Sequence, residues 1–254
     1  MDIRFDTAIL VTILLVSIRF GTVLLFSPLF ALAKIPVQFR VLFVLALALI
    51  IILGLNTSPV VMPSGVGELT SMAVQELLIG GMFAFGVFAA FGAFLFGGRV
   101  LDFQMGFGVA NLIDPATNAQ SPLIGTMLNL MAVMAFFMIN GHHMILRGFA
   151  YSLEKLPPGV PLGEINLSAL VAQFGVMFVY GMAIVAPAVI ALLLIDVGMA
   201  VAARTMPQVN MFIVGIPLKI FVGLTVLAIS INYMSPLLEK IYASIFRFWQ
   251  QVLG

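Results

Sequence analysis

Residues 168–195 read SALVAQFGVMFVYGMAIVAPAVIALLLI, a stretch without a single charge. Wound as an α-helix at 1.5 Å per residue it is about 42 Å long, more than the roughly 30 Å of a bilayer's hydrocarbon core. Five further runs share its character: 8–33, 37–55, 70–96, 123–146 and 209–234. None alternates polar and apolar positions over about ten residues, as the strands of a membrane barrel do. The pattern predicts an all-α integral membrane protein of about six long hydrophobic helices arranged as hairpins. Composition agrees. Of the 254 residues 63% are hydrophobic and 8% charged, against about 25% charged in a soluble domain. There is too little charge here to clothe a water-facing surface.

Moving outward from these runs, the N-terminal MDIRFD carries one Arg against two Asp. The apolar run behind it continues from Thr7 to Ala33, broken by Arg19. Roughly 7–15 residues suffice for a cleavable signal, so this segment is expected to stay as a helix. The connectors SPLFALAKIPVQFR (27–40), NTSPVVMPSGVGE (56–68) and EKLPPGVPLGE (154–164) are punctuated by Pro and Gly. Nothing between them reads as a linker, so residues 1–254 are taken as one helical domain. The tail at 236–254, with Glu239, Lys240, Arg247 and Trp249, reads as an amphipathic helix at the membrane interface. The Lys/Arg bias that should orient the spans is missing. Arg4, Arg147, Lys155, Lys240 and Arg247 fall on one side, and Lys34, Arg40, Arg99 and Arg204 on the other. Either orientation is open, or some segments do not cross lipid as simple helices.

Polar groups lie deep inside several runs: Arg19, Glu76, Gln173 and Lys219, with Asn129, Asn140 and Asn232. A charge near the bilayer centre costs about 2.5–3.5 kcal/mol on insertion scales, so these side chains must face protein or water. Satisfaction by a neighbouring helix is the plain expectation. Ala89, Ala93 and Gly97 recur at four-residue spacing on one face, and Gly198 with Ala202 repeats it, a ridge that lets backbones approach closely. Internal packing accounts for such a ridge as well as a subunit contact does.

Little in the chain suggests catalysis. The adjacent histidines of NGHH (140–143) point about 100° apart on a helix and have no third ligand at useful spacing, so a helix-end role is expected rather than a metal site. There is no Gly-Lys-Ser/Thr phosphate loop, no G-x-S-x-G elbow and no cysteine. The near-neutral net charge of +1 argues against nucleic acid. No catalytic residue, cofactor or metal site is expected.

Three stretches resist any periodic reading: PLFALAKIPVQFR (28–40), GFGVANLIDPATNAQSPLIG (106–125) and RTMPQVNMFIVGIPLK (204–219). The second is too polar to span and, with Asp114 its one charge, too uncharged for an aqueous loop. The third holds Pro207 and Pro217 around Gln208 and Asn210, with Lys219 just beyond. A proline within an apolar run frees a carbonyl and kinks the helix, which lipid tolerates only where the break is buried in protein or lines a wet cavity.

With RFGTVLLFSPLF (19–30), IPVQFR (35–40), QMGFGVANLIDPATNAQSPLIG (104–125), NGHHMILRGFAYSLEKLPPG (140–159) and the 204–219 stretch in this order, the chain resembles the FliR family along nearly its whole length. That family is the flagellar export-gate subunit, of SctT type in injectisomes. The resemblance implies a non-catalytic gate subunit in the bacterial inner (cytoplasmic) membrane, within the flagellar basal body. Its implied partners are FliP-type and FliQ-type subunits forming the pore, an FlhB-type subunit at the entrance, unfolded flagellar export substrates in transit, and membrane lipid. Several helices would then pack on partner subunits rather than simply span lipid, which would account for the missing charge bias. The resemblance also implies that 104–125 is a loop plugging the channel at rest, carried by Gly106, Phe107, Gly108, Asn111, Leu112, Ile113, Asp114, Pro115, Asn118 and Gln120. Pro28, Pro36, Arg40, Glu76, Arg204, Pro207, Gln208, Asn210, Pro217 and Lys219 would serve at helix breaks and subunit packing. A reading from another class stands beside it: a small proton- or ion-coupled secondary transporter, whose broken helices and buried charges would look similar.

Overall fold

A computed structural model of the chain describes residues 7–28, 35–55, 59–107, 122–161, 163, 166–208 and 210–253. Eight helices lie among them: α1 (Thr7–Phe26), α2 (Val37–Leu55), α3 (Val66–Gln104), α4 (Leu123–Met138), α5 (Gly141–Lys155), α6 (Leu167–Thr205), α7 (Met211–Ile231) and α8 (Ser235–Leu253). The described residues include no strand. Five of the helices are long and apolar enough to cross a membrane, or six if α4 and α5 count as one broken span. The chain is an all-α integral membrane protein. α3 and α6 have 39 residues each, about 58 Å at 1.5 Å per residue, and so outrun both the apolar runs 70–96 and 168–195 and the hydrocarbon core.

The run 123–146 is not one straight span, as its hydropathy suggested. α4 and α5 meet at 71°. Asn140 sits between them at φ 57, a left-handed conformation that Asn tolerates better than other side chains. The backbone N–H of Asn140 donates to the Phe137 carbonyl at 3.1 Å, and its own carbonyl accepts the His143 N–H at 3.0 Å. A Cβ on Gly141 would collide with the Phe136 ring. His142 and His143 therefore stand in the first turn of α5, at a helix end.

The chain divides into two compact units, 1–89 with 136–173 and 244–254, and 90–135 with 174–243. In the first unit the core is aromatic and tightly stacked. Leu15, Val16, Phe20 and Val23 of α1 are fully buried, and Phe20 stacks on Phe149 of α5 with centroids 4.1 Å apart. A Cβ on Gly80 would stand 2.5 Å from the Arg19 carbonyl oxygen, so α1 and α3 meet backbone to backbone. α2 buries Val44, Ala48 and Ile52, one stripe at four-residue spacing, and turns the rest of its apolar surface outward.

The second unit uses small residues in the same way. A Cβ on Gly97 would come within 2.5 Å of the Gly181 carbonyl oxygen, and one on Gly181 within 2.7 Å of the Ala93 carbonyl oxygen. Ala93 and Gly97 thus serve the internal contact of α3 with α6, and this part of the small-residue ridge is explained without a second subunit.

The C-terminal tail corrects an expectation. α8 is amphipathic, but its apolar face, with Ile241, Tyr242, Ile245, Phe248, Trp249 and Val252, is buried against the protein rather than laid on lipid. The reason is that its two polar aromatics find carbonyl acceptors. In the first unit Trp249 stacks on Phe83 at 4.7 Å and donates its Nε1–H to the Phe83 carbonyl at 3.1 Å, over a Gly148 that leaves room for the ring. In the second, Tyr242 donates its hydroxyl to the Ala132 carbonyl at 2.6 Å. Burial pushes that hydroxyl's pKa up from its ordinary value and keeps it a donor.

Candidate functional site

Arg19, alone in its apolar run, is fully buried in the first unit, and Glu76 of α3 meets it. Nε donates to Oε2 at 2.6 Å and Nη2 to Oε1 at 2.9 Å, the two-pronged geometry that guanidinium and carboxylate share. Nη1 turns to the end of α5, where it reaches the Ser152 carbonyl at 3.2 Å, the Ser152 hydroxyl at 3.3 Å and the Leu156 carbonyl at 2.9 Å. The last carbonyls of a helix lack intrahelical donors and carry partial negative charge, so a cation is well placed there. Oε1 of Glu76 also accepts the Gly159 N–H at 3.1 Å. One ion pair thus fixes α1, α3, the end of α5 and the turn after it. Gln173, another polar residue in an apolar run, donates its Nε2–H to the Gly86 carbonyl at 3.1 Å. These are the neighbouring-helix partners that buried polar groups require.

The second unit holds the broken stretch 204–219. α6 ends with the exposed Arg204 in its last turn, where its charge complements the helix dipole. Pro207 and Gln208 form the exposed turn that follows. Asn210 then opens α7, its carbonyl accepting the N–H groups of Ile213 at 3.1 Å and Val214 at 3.4 Å. Pro217 lies inside α7, where it withholds the N–H that would otherwise reach the Ile213 carbonyl. Two residues on, Lys219 forms an ion pair with Asp196 of α6, both side chains partly exposed. The pair borders a cleft of about 510 Å³ lined also by Gln104, Gly106, Met199 and Ile216. Gly106 turns the chain out of α3 at φ 87, a conformation open to glycine.

The remaining sequence-derived candidates fall as follows. Phe107 is half-buried beside Gly106, and Pro28 half-buried just past α1. Pro36 is exposed and starts α2, its carbonyl accepting the N–H groups of Phe39 and Arg40 at 3.1 and 3.3 Å. Arg40 folds its Nε–H back to the Ile35 carbonyl at 2.9 Å. Gly108, Asn111, Leu112, Ile113, Asp114, Pro115, Asn118 and Gln120 lie outside the described residues. Among the described residues no three His, Asp or Glu side chains gather as a metal set.

Sequence reasoning missed two acidic residues. Asp196 stands just past the quoted uncharged run and partners Lys219. Asp102, at the far end of α3, is buried and accepts the backbone N–H groups of Ile124 at 3.0 Å and Gly125 at 3.2 Å. The available signal for Asp102 was Pro122, which opens α4 with no side-chain acceptor of its own.

Residues 10–245 match the family described as bacterial export proteins, family 1. The chain belongs to that family. It is similar to the flagellar biosynthetic protein FliR of Bacillus subtilis (strain 168), with 33% identity over 234 residues, covering 91% of this chain and 90% of that one. The FliR of Escherichia coli (strain K12) is 27% identical over 184 residues, 72% and 70% of the two chains. The secretion system apparatus protein SsaT of Salmonella typhimurium is 27% identical over 164 residues, 64% and 63% of the two. For a family member with helical spans the membrane is the inner one, since proteins spanning the outer membrane are closed barrels.

Proposed function

We propose that the chain is a non-catalytic subunit of the type III protein export gate of the flagellar basal body. It assembles with FliP-type and FliQ-type subunits into the pore for unfolded flagellar substrates, with an FlhB-type subunit at the entrance, and its segment 104–125 plugs the channel at rest. The observation that carries this reading is the family match over residues 10–245. The relative at 33% identity, named for flagellar biosynthesis, favours the flagellar branch over the secretion-apparatus branch. Two features of the fold support a place among partner helices. α2 exposes Leu42, Ile50 and Leu53 by about two thirds each, and α3 and α6 are longer than a bilayer core demands. The described residues flanking the segment support this reading, since Gly106 turns the chain after α3 and Asp102 holds the first turn of α4.

The test is a deletion within 106–122, bridged by a short Gly-Ser linker, in cells producing the assembled gate. Partners are expected to co-purify as before while uptake of small ions and solutes at rest rises. Unchanged permeability overturns the plug, and failure of a tagged chain to bring down the pore subunits overturns the gate. The transporter reading draws on the Pro217 break and the Lys219–Asp196 pair beside the cleft. It requires solute uptake by the reconstituted single chain, which the gate reading forbids.

A further inference from the structure

The geometry points to Asp102 as the positioning residue of this gate: it clamps the end of α3 to the start of α4 and so fixes both ends of the segment between them. The first N–H groups of any helix lack intrahelical acceptors, and a side-chain oxygen at the N-cap usually supplies one. At the start of α4 the capping position falls to Pro122, which has no such oxygen. Asp102, 22 and 23 positions upstream of its partners, does the work instead. Oδ1 accepts the Ile124 N–H and Oδ2 the Gly125 N–H, at 3.0 and 3.2 Å. The helix's positive end also stabilises the buried carboxylate.

An independent observation marks the same joint. Gly98 and Asp102 are four residues apart and share a face of α3. A Cβ on Gly98 would sit 2.5 Å from the Gly125 backbone nitrogen and 2.9 Å from the Ile124 carbonyl carbon. A Cβ on Gly125 would lie 3.2 Å from the Leu95 carbonyl oxygen. Leu95, Gly98 and Asp102 therefore form a seat on which the first turn of α4 rests backbone to backbone. Packing alone lets that turn slide or lift; the two charge-assisted hydrogen bonds fix its register. The cap is specific to a carboxylate, because a carboxylate has two acceptor oxygens, whereas an amide in its place has one.

This inference rests on the reading of 104–125 as the resting plug, and the experiment separates the two. Spin labels are placed at Phe103→Cys and Leu123→Cys, both exposed and in a chain with no native cysteine, and the assembled complex is compared with Asp102→Asn and Asp102→Ala versions. A narrow interlabel distance distribution is expected with Asp102, a broader one with Asn and the broadest with Ala, the parted fraction rising about tenfold or more. Resting ion leak should rise in the same order while co-purification with partners stays unchanged. Should Asp102→Ala not accumulate, Asp102→Asn alone carries the comparison. An unchanged distribution in both variants overturns the clamp. So does a broadened distribution without leak when the 106–122 deletion leaks. If that deletion itself does not leak, the plug reading falls, and the clamp is judged on the distances alone.

Discussion

Replacing Glu76 by Gln changes one oxygen for one nitrogen at the centre of the first unit, and its effect can be worked out from the bonds that remain. Arg19 is fully buried, and among the described residues the carboxylate is the one anion bonded to it. The other groups that Arg19 meets, the carbonyls of Ser152 and Leu156 and the Ser152 hydroxyl, carry partial charges alone. Removing one partner of a buried pair leaves an uncompensated charge and costs about 3–5 kcal/mol. Set against a total stability of about 5–15 kcal/mol, that lowers the folded-to-unfolded ratio by two to three and a half powers of ten. Two companion variants distinguish a pair from a pair that also caps a helix. Swapping the charges, Arg19→Glu with Glu76→Arg, should not rescue, because a carboxylate at position 19 would face the α5 carbonyls. Removing both, Arg19→Met with Glu76→Leu, should recover only part of the loss, since the Leu156 carbonyl and the Gly159 N–H lose their partners at about 1–3 kcal/mol for each group left buried and unmet, whereas the Ser152 carbonyl keeps the Leu156 N–H at 2.9 Å. Trp249, the single tryptophan, reports unfolding of the detergent-solubilised chain from its stack on Phe83 in the same unit. An unfolding midpoint for Glu76→Gln within a degree of the parent, or full rescue by the charge swap, refutes the reasoning.

Other outcomes follow from neighbouring contacts. Gly148→Ala puts a methyl group into the Trp249 ring and should cost about 1–3 kcal/mol by overpacking, read as a lower midpoint with altered Trp249 emission. Gly97→Ala sets its Cβ 2.5 Å from the Gly181 carbonyl oxygen, an atom held in a helix backbone. It should lower the amount of folded chain in the membrane, measured by resistance to proteolysis, more than Gly198→Ala, whose Cβ meets nothing within 4 Å. Lys219→Met breaks a pair whose members are both partly exposed, so the isolated chain should lose about 1 kcal/mol or less. A large loss of partner co-purification at that small stability cost would locate the role of Lys219 in assembly.

What could be read from sequence divides along physical lines. The spans were legible because hydropathy sums over twenty residues and tertiary contacts cannot hide it. That Arg19, Glu76 and Gln173 need partners was also legible, because lipid supplies none. Which partners they take was not: Arg19 and Glu76 lie 57 positions apart, and no periodicity links them. The bend at Asn140 was obscured because an apolar run through 146 looks the same whether the helix continues or turns. The tail was misplaced because an amphipathic face records that something apolar covers it, not whether lipid or the chain's own helices do. Asp102 escaped for another reason. Its acceptors meet backbone N–H groups, which every sequence has, so its role leaves no mark in side-chain pattern beyond the missing cap at Pro122.

These cases share a cause that bears on how such a protein works in a membrane. In water a helix end or a buried charge can fall back on solvent. Here each one must find a partner in protein, and the two units meet that demand by different means. The first closes on itself through a fully buried ion pair that also satisfies a helix end. The second meets its ionic needs at partly exposed places, the Lys219–Asp196 pair beside an open cleft, and holds α4 to α3 by a carboxylate on two backbone groups. The cost of parting a contact is largest where no water can replace it and smaller where water can enter. Movement within this chain is therefore expected first in the second unit, beside the Lys219–Asp196 pair, while the Arg19–Glu76 cluster and the buried Asp102 joint stay closed. Hydrogen exchange on the assembled complex should accordingly find the amides of α7 around Lys219 less protected than those at the end of α5, and equal protection would remove the distinction.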